Sequence, residues 1–468
     1  MKKRGSPTDS GISDSGISRR GLIQASAIVA ASVAAPAMPR AAEAAESGIV
    51  HAGNAKPNGR ILIKGATIIT MDEKLGDIAK GDLLIQGKKI AAVGGEIKSA
   101  GAQVIDGTNA ILIPGFVDCH RHSWEGQLRR INPNAATLAA YSAATHQSFA
   151  KAYRPDDIYA GNLITALGCI DSGITCVIDN SHNSRSGAHS DAAIKALFDS
   201  GIRGVHAAGP PQAGEWDHQL PQDLARLQKQ FFASTDQLVT LRMFAGPVKE
   251  QWAYARSLGL RITMEFQGPA MGKIMDQFAE EKLLGPDITF NHCGNLPEST
   301  WQNLKAAGVT IDVCPRSDSQ YGLGEGFPAY QHAIDHGMKP GLSVDNETSY
   351  STDMFMEMRT AFHIQRAVAT NRKLNGDTNP PKPVSMRDVL TCATVNGAVC
   401  AGLADKIGTL APGKEADIVM IRTDAIILYP SNNALGTVVA AADRSNVDTV
   451  IIGGVIRKQH GKLVGVDM

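Results

Sequence analysis

Hydrophobic and polar positions along the chain fall into three textures. From residue 60, "RILIKGATIITMDE" and "GDLLIQGKKIAAVGGEI" alternate apolar and polar residues in short pieces broken by Gly and Asp. That pattern predicts β-strands joined by tight turns. The same texture returns near the other end, in "GTLAPGKEADIVMI" and "VDTVIIGGVIRKQHGKLVGVD". Between them, short apolar runs take turns with helical patterns: "ILIPGFVDCHRH", "SGITCVIDN", "GIRGVHAAG", "LVTLRMFAG", "GLRITMEFQG", "DITFNHCG", "GVTIDVCP" and "KPGLSVD". Strand and helix in alternation predict a parallel sheet covered by helices, and about eight right-handed units of this kind close into a (β/α)8 barrel. The expected architecture is therefore α/β: a TIM barrel over 113–403, with a small β-sandwich built from both chain ends, 58–112 and 404–468.

The first 45 residues carry the third texture. A polar lead-in repeats "DSGIS" in tandem, and "SRRGLIQASAIVAASVAAPAMPRAAEA" then sets Arg19 and Arg20 just before an Ala/Val/Ile stretch that ends in small residues. This matches a twin-arginine export signal, and the apolar stretch is short for a bilayer span. It predicts recognition by the twin-arginine export machinery, a periplasmic or secreted location and no stable membrane anchor. A disordered Ala-rich leader is the alternative.

Composition narrows the partners. With 46 basic and 46 acidic residues the formal net charge is +0, so nothing draws the chain to nucleic acid or an anionic surface. A hydrophobic share of 43% over 468 residues supports a large core and a small-molecule substrate, with self-association left open. The seven cysteines stand singly with no C-x-x-C pair, as expected for buried free thiols.

Barrel enzymes carry their chemistry at the C-terminal ends of the strands. His120 and His122 lie two apart on one strand and so point the same way. Glu265, His292 and Asp345 end later apolar runs. Two imidazoles with carboxylates suit one divalent ion such as Zn, Mn or Fe, which would activate water. The alternative is a metal-free site in which Glu265 pairs with protonated His120 or His122. Trp124, Glu125 and Arg129 follow the histidine pair, and His182, Arg316 and Asp318 follow later strands. Each either touches substrate or is an ordinary packed or salt-bridged loop residue.

The stretches "GATIITMDE", "LIPGFVDCHRH", "SGITCVIDN", "NHCGNLPESTWQNLKAAGVTIDVCPRSD", "LSVDNETSYSTDMFMEMRTAF" and "ATVNGAVCAGLADKIGTLAPGKEADIVMI" resemble the amidohydrolase superfamily, in the branch of cytosine deaminase and the triazine and S-adenosylhomocysteine hydrolases. The resemblance implies metal binding by His120 and His122. It implies that His292 contacts the metal or positions its water and polarises the substrate. It implies that Asp345 binds metal and takes the proton of the attacking water. The reaction implied is hydrolysis of a non-peptide C–N bond in a small molecule. A decarboxylase or other lyase on the same barrel, or a metal-free binding protein, is the alternative.

The departure from that pattern lies in "GLRITMEFQG". The family places a metal-binding His here, often within HxHxxE. Aligned from Gly259, the ligand position falls on Glu265, Thr263 replaces the other His and Gly268 replaces the downstream Glu. A slip of one residue would put Met264 at the ligand position. With Glu265 and Asp345 both ionised, the metal becomes a weaker acid and the preference moves from Zn toward Mn or Fe-like ions. Loss of the downstream Glu weakens a direct purine or pyrimidine deaminase reading.

Overall fold

The computed structural model describes residues 59–467, so the twin-arginine segment and its lead-in lie outside the described residues. The strands in chain order are β1 (Arg60–Ile68), β2 (Ile78–Gln86), β3 (Lys89–Gly94), β4 (Gln103–Asp106) and β5 (Ala110–Pro114). There follow β6 (Phe116–Arg121), β7 (Ile174–Ser181), β8 (Arg203–Ala208), β9 (Val239–Phe244), β10 (Ile262–Phe266), β11 (Ile288–His292), β12 (Thr310–Val313) and β13 (Gly341–Leu342). The last are β14 (Ile418–Arg422), β15 (Val447–Ile452), β16 (Val455–Gln459) and β17 (Lys462–Leu463).

The two chain ends make one nine-stranded sheet in the order β17-β16-β15-β14-β5-β1-β2-β3, with β4 beside β1. Its alternating residues Ile61, Ile63, Leu83, Ile85, Leu112 and Ile418 bury one apolar face as a core of its own.

The middle of the chain makes an eight-stranded parallel sheet, β6 to β13 in sequence order, with helices between the strands. A bridge between Arg121 and Asp345 joins the last strand's extension to the first. There the Asp345 N–H donates to the His120 carbonyl and the His122 N–H to the Asp345 carbonyl, each at 2.9 Å. The barrel thus closes at the point where its candidate ligands stand. Phe116, Phe266, Phe290 and Trp252 fill the layer under the helices.

The run "ILIPGFVDCHRH", expected as one strand, is two. β5 belongs to the end sheet and β6 opens the barrel, so the barrel's first strand starts at Phe116. Gly115 permits the switch, since a Cβ there would stand 2.1 Å from Thr175 Oγ1. Met354, Phe355 and Met358 of the helix Met354–Leu374 are buried, as their helical spacing predicts. All seven cysteines are buried and unpaired. Among the described residues no helix is long and apolar enough to cross a membrane.

Candidate metal centre

His120 lies near the end of β6 and His122 directly follows it, Glu265 sits on β10, and Asp345 lies three residues past β13. Their side chains converge. Asp345 Oδ1 is 3.3 Å from His120 Nε2 and 3.2 Å from His122 Nε2. Glu265 Oε1 is 3.2 Å from His122 Nε2 and 4.0 Å from His120 Nε2. One ligand atom each from His120, His122 and Glu265 lies within 4.8 Å of the others. The Met264 register is ruled out, because Met264 packs in the core while Glu265 faces this point.

The imidazoles are oriented from behind. His122 Nδ1 lies 3.0 Å from the Asn180 backbone carbonyl, which can only accept, so Nδ1 carries a proton and Nε2 can offer its lone pair. His120 Nδ1 meets the Asn180 side-chain amide, which continues to Asn291 at 2.9 Å and from there to Asp312 at 2.5 Å. An amide offers either oxygen or nitrogen after a half-turn, and burial pushes the Asp312 carboxyl up to about 7. A neutral Asp312 supplies the proton that turned amides need, so this chain accommodates either tautomer of His120.

The electrostatics are those of a site that wants a cation. Burial opposes charge on every member. It is outweighed at His122, whose pKa the hydrogen bonds to Asp345 and Glu265 hold well above the usual imidazole value. Burial likewise opposes the charged carboxylates, yet His122 draws Glu265 down to about 2, and His120 and His122 hold Asp345 well below the carboxylate range. His120 is held below its ordinary value, chiefly by burial. Its Nε2 is buried with no hydrogen-bond partner. An orphaned imidazole nitrogen facing two carboxylates has the donor chemistry of a divalent-cation site.

His292 ends β11 beside this group, its ring 5.0 Å from that of His120. Its Nδ1–H donates to Asp318 Oδ1 at 2.8 Å. Burial disfavours the charged ring, but the Asp318 bond wins and carries its pKa up to about 9. A second set within 4.8 Å comprises His120, His292 and Cys314. His292, Cys293 and Asp345 all take left-handed backbone angles, φ 67°, 59° and 73°. Strained non-glycine residues of this kind concentrate where side chains are aimed for function.

His122, Glu265, His292 and Asp345 open onto a cavity of about 380 Å³. Tyr141, Tyr321, Leu138 and Leu323 form apolar walls, and Gln212 and Gln267 add amides. Among the described residues no lysine or arginine lines it. None of the six residues offered either as substrate contacts or as packed loop residues lines it. Arg129 pairs with the buried Glu347 at 3.0 Å, and Arg316 pairs with the buried Glu357 at 2.6 Å. A guanidinium beside a buried carboxylate is held there, since leaving that carboxylate unpaired costs more. Trp124 is fully buried and its indole N–H donates to His182 Nδ1 at 3.0 Å. His182 is buried and stacks on His122 with ring centroids 3.8 Å apart. The residues that do line the walls, such as Tyr141, Gln212 and Tyr321, belong to helices and loops with no chemical signature in their spacing.

Residues 262–457 match the amidohydrolase family. The chain is 26% identical over 432 residues to a 5-methylthioadenosine/S-adenosylhomocysteine deaminase of Pelotomaculum thermopropionicum, covering 87% of this chain and 95% of the relative. The chain is thus similar to the amidohydrolase family over its second half and to this deaminase over most of its length. A 5'-deoxyadenosine deaminase of Methanothermobacter thermautotrophicus is 27% identical over 430 residues, with 87% and 95% covered. Among solved structures, an adenosine deaminase from Xanthomonas campestris with bound zinc superposes with a TM-score of 0.75 at 21% identity, over 87% of this chain and 94% of that one. Atrazine chlorohydrolase from Arthrobacter aurescens, complexed with zinc, gives 0.72 at 23% identity, over 87% and 97%. These structures share the barrel and the end sheet.

Proposed function

We propose that this protein is a metal-dependent hydrolase that cleaves a non-peptide C–N bond of a small, neutral or cationic ring compound. The observation that carries the reading is the convergence of His120, His122, Glu265 and Asp345, with the buried His120 Nε2 unpartnered among them. These four residues would hold one divalent ion, whose Lewis acidity brings the pKa of water toward neutrality. Asp345 Oδ1 stands between the two imidazoles, where it accepts the proton of the attacking water and passes it to the leaving nitrogen. His292, held charged by Asp318, donates from Nε2 to the substrate atom on which negative charge develops. Tyr141 and Tyr321, with ring centroids 5.5 Å apart, give a ring compound flat apolar surfaces. Beyond the centre's own imidazoles and the ion they would hold, the described walls carry no lysine or arginine to pair with a phosphate or carboxylate. The twin-arginine pattern at Arg19 and Arg20 supports a periplasmic or secreted location for this activity.

Metal analysis and a substrate screen test the reading. We expect about one equivalent of Zn, Mn or Fe in purified protein, and a loss of metal affinity of at least about tenfold in Glu265→Ala. A panel of cyclic amides, ureas and aminated heterocycles should yield ammonia or ring opening that Asp345→Ala abolishes. Wild-type protein free of metal, with turnover unchanged in Asp345→Ala, overturns it. Carbon dioxide lost from a substrate carboxylate, with every C–N bond of the substrate intact, overturns the hydrolytic assignment.

A further inference from the structure

Three imidazoles stand around Glu265, and the groups behind them differ in what they allow. His122 Nδ1 faces a carbonyl, which only accepts. His120 Nδ1 faces an amide, which does either. His182 Nδ1 receives the Trp124 indole N–H at 3.0 Å. Indole nitrogen is a donor and never an acceptor. His182 Nδ1 must therefore keep its lone pair, and a second N–H there would oppose the first. The ring is neutral, and its one proton sits on Nε2. Trp124 cannot turn away, for it is fully buried, edge-on to Tyr153 at 5.2 Å and beside His146 at 5.8 Å. His182 is fixed as firmly, between the His122 ring at 3.8 Å and the His146 edge at 4.5 Å.

The protonated nitrogen is directed at the candidate centre. His182 Nε2 is buried, has no hydrogen-bond partner and lies 3.8 Å from Glu265 Oε1. The terminal torsion of a glutamate is soft, so a rotation of the carboxylate closes that gap. His182 does not line the cavity, so its reach is to Glu265 and not to a substrate.

We propose that Trp124 locks His182 as an Nε2–H donor whose task is to hold the Glu265 carboxylate in place, and that the same lock bars His182 from serving as a metal ligand itself. The strand that carries Glu265 offers the centre an oxygen, and His182 is the nearby imidazole that could offer a nitrogen in its place. The indole prevents that, and the centre keeps its oxygen ligand. His182 is thus a positioning residue, and the inference rests on the reading of Glu265 as a ligand.

Two measurements on the full chain test it. Nitrogen-15 NMR of histidine-labelled protein, with His182 assigned by comparison with His182→Gln, should show a bare Nδ1 and a protonated Nε2. A protonated Nδ1 overturns the lock. Metal affinity by competition with a chromophoric chelator is the second readout. His182→Phe should lower Mn and Zn affinity by about 10- to 100-fold. His182→Gln, which presents an amide N–H where Nε2 stood, should restore much of it. Trp124→Phe removes the indole donor and frees Nε2 to carry the lone pair. The cobalt-loaded variant should then show altered visible bands as a nitrogen ligand is added. Equal metal affinity in wild type and His182→Phe refutes the positioning role, and an unchanged cobalt spectrum in folded Trp124→Phe refutes the bar on ligation. Failure of wild type to bind metal strikes the functional reading instead and leaves the NMR result standing.

Discussion

At the scale of single residues, charge decides more than shape. Glu265 and Asp345 together bring two negative charges to a divalent ion, where one carboxylate with three imidazoles would bring one. Glu265→His should therefore retain metal and shift its preference, raising the ratio of Zn to Mn affinity by about tenfold or more in a competition titration. An unchanged ratio would show that Glu265 does not reach the ion. A second carboxyl nearby behaves in the opposite sense. Glu125 is fully buried; burial pushes its pKa up to about 8 against the pull of His122 and Tyr141. Tyr141 donates to Oε1 at 2.5 Å, while Oε2 has no partner, which suits a neutral acid. Asp345 and Glu265 add negative charge nearby and push the same way as burial. Its folded-state value lies above the ordinary 4.5, so the folded protein holds a proton that the unfolded chain releases. The stability this confers is complete below about pH 4.5 and is lost as the pH rises toward 8. Glu125→Gln imitates the neutral acid. It should match wild type near pH 5 in urea denaturation and exceed it by roughly 2 kcal/mol or more at pH 8.5. Equal pH dependence in the two proteins would show Glu125 to be ionised.

At the scale of elements, the site is held by a close approach that only glycine permits. The turn Ser123–Leu128 carries Trp124 and lies against the helix Pro155–Asp171. A Cβ on Gly161 would stand 2.2 Å from the Trp124 carbonyl oxygen, and one on Gly126 would stand 2.4 Å from the Gly161 carbonyl oxygen. Gly161→Ala must push the turn away, and with it the indole that orients His182. A loss of about 1–3 kcal/mol is expected, together with weaker metal binding, read by thermal melting and the chelator assay. Lost stability with unchanged affinity would separate the turn from the metal centre. Elements of this sort mark the limit of what the chain's pattern reveals. His120, His122, Glu265, His292 and Asp345 were legible because a polar residue ending an apolar run is conspicuous. Arg129 and Arg316 follow strands just as closely and were legible only as candidates, because their carboxylate partners are 218 and 41 residues away in sequence. Tyr141 and Tyr321 were not legible, since an aromatic on a helix or loop looks the same whether it walls a cavity or packs a core. The division of one apolar run into β5 and β6 depends on Thr175 crowding Gly115, a contact 60 residues apart in the chain.

At the scale of the molecule, the alternating textures gave away the architecture because strand and helix periods survive folding unchanged, whereas the way the end sheet is fastened to the barrel is a matter of three buried charges. Arg203 begins β8, at the opposite strand ends from the candidate ligands. Its guanidinium lies 2.8 Å from Asp417 and 2.7 Å from Glu415, both on the segment that leads into β14. Asp417 also accepts the Gly453 N–H at 2.9 Å, next to β15. Burial opposes charge on Arg203, but the two carboxylates hold its pKa above the usual guanidinium value. Removing the cation strands two buried anions, which costs about 3–5 kcal/mol, whereas removing cation and anion together costs less. Arg203→Met should accordingly lower the urea midpoint strongly, and Arg203→Met combined with Asp417→Asn should recover part of the loss. Metal affinity at low denaturant should stay within about twofold of wild type in both, because the fastening and the ligands stand at opposite ends of the same strands. Loss of metal binding in the folded Arg203→Met protein would instead show that the end sheet sets the geometry of the centre through the length of the barrel.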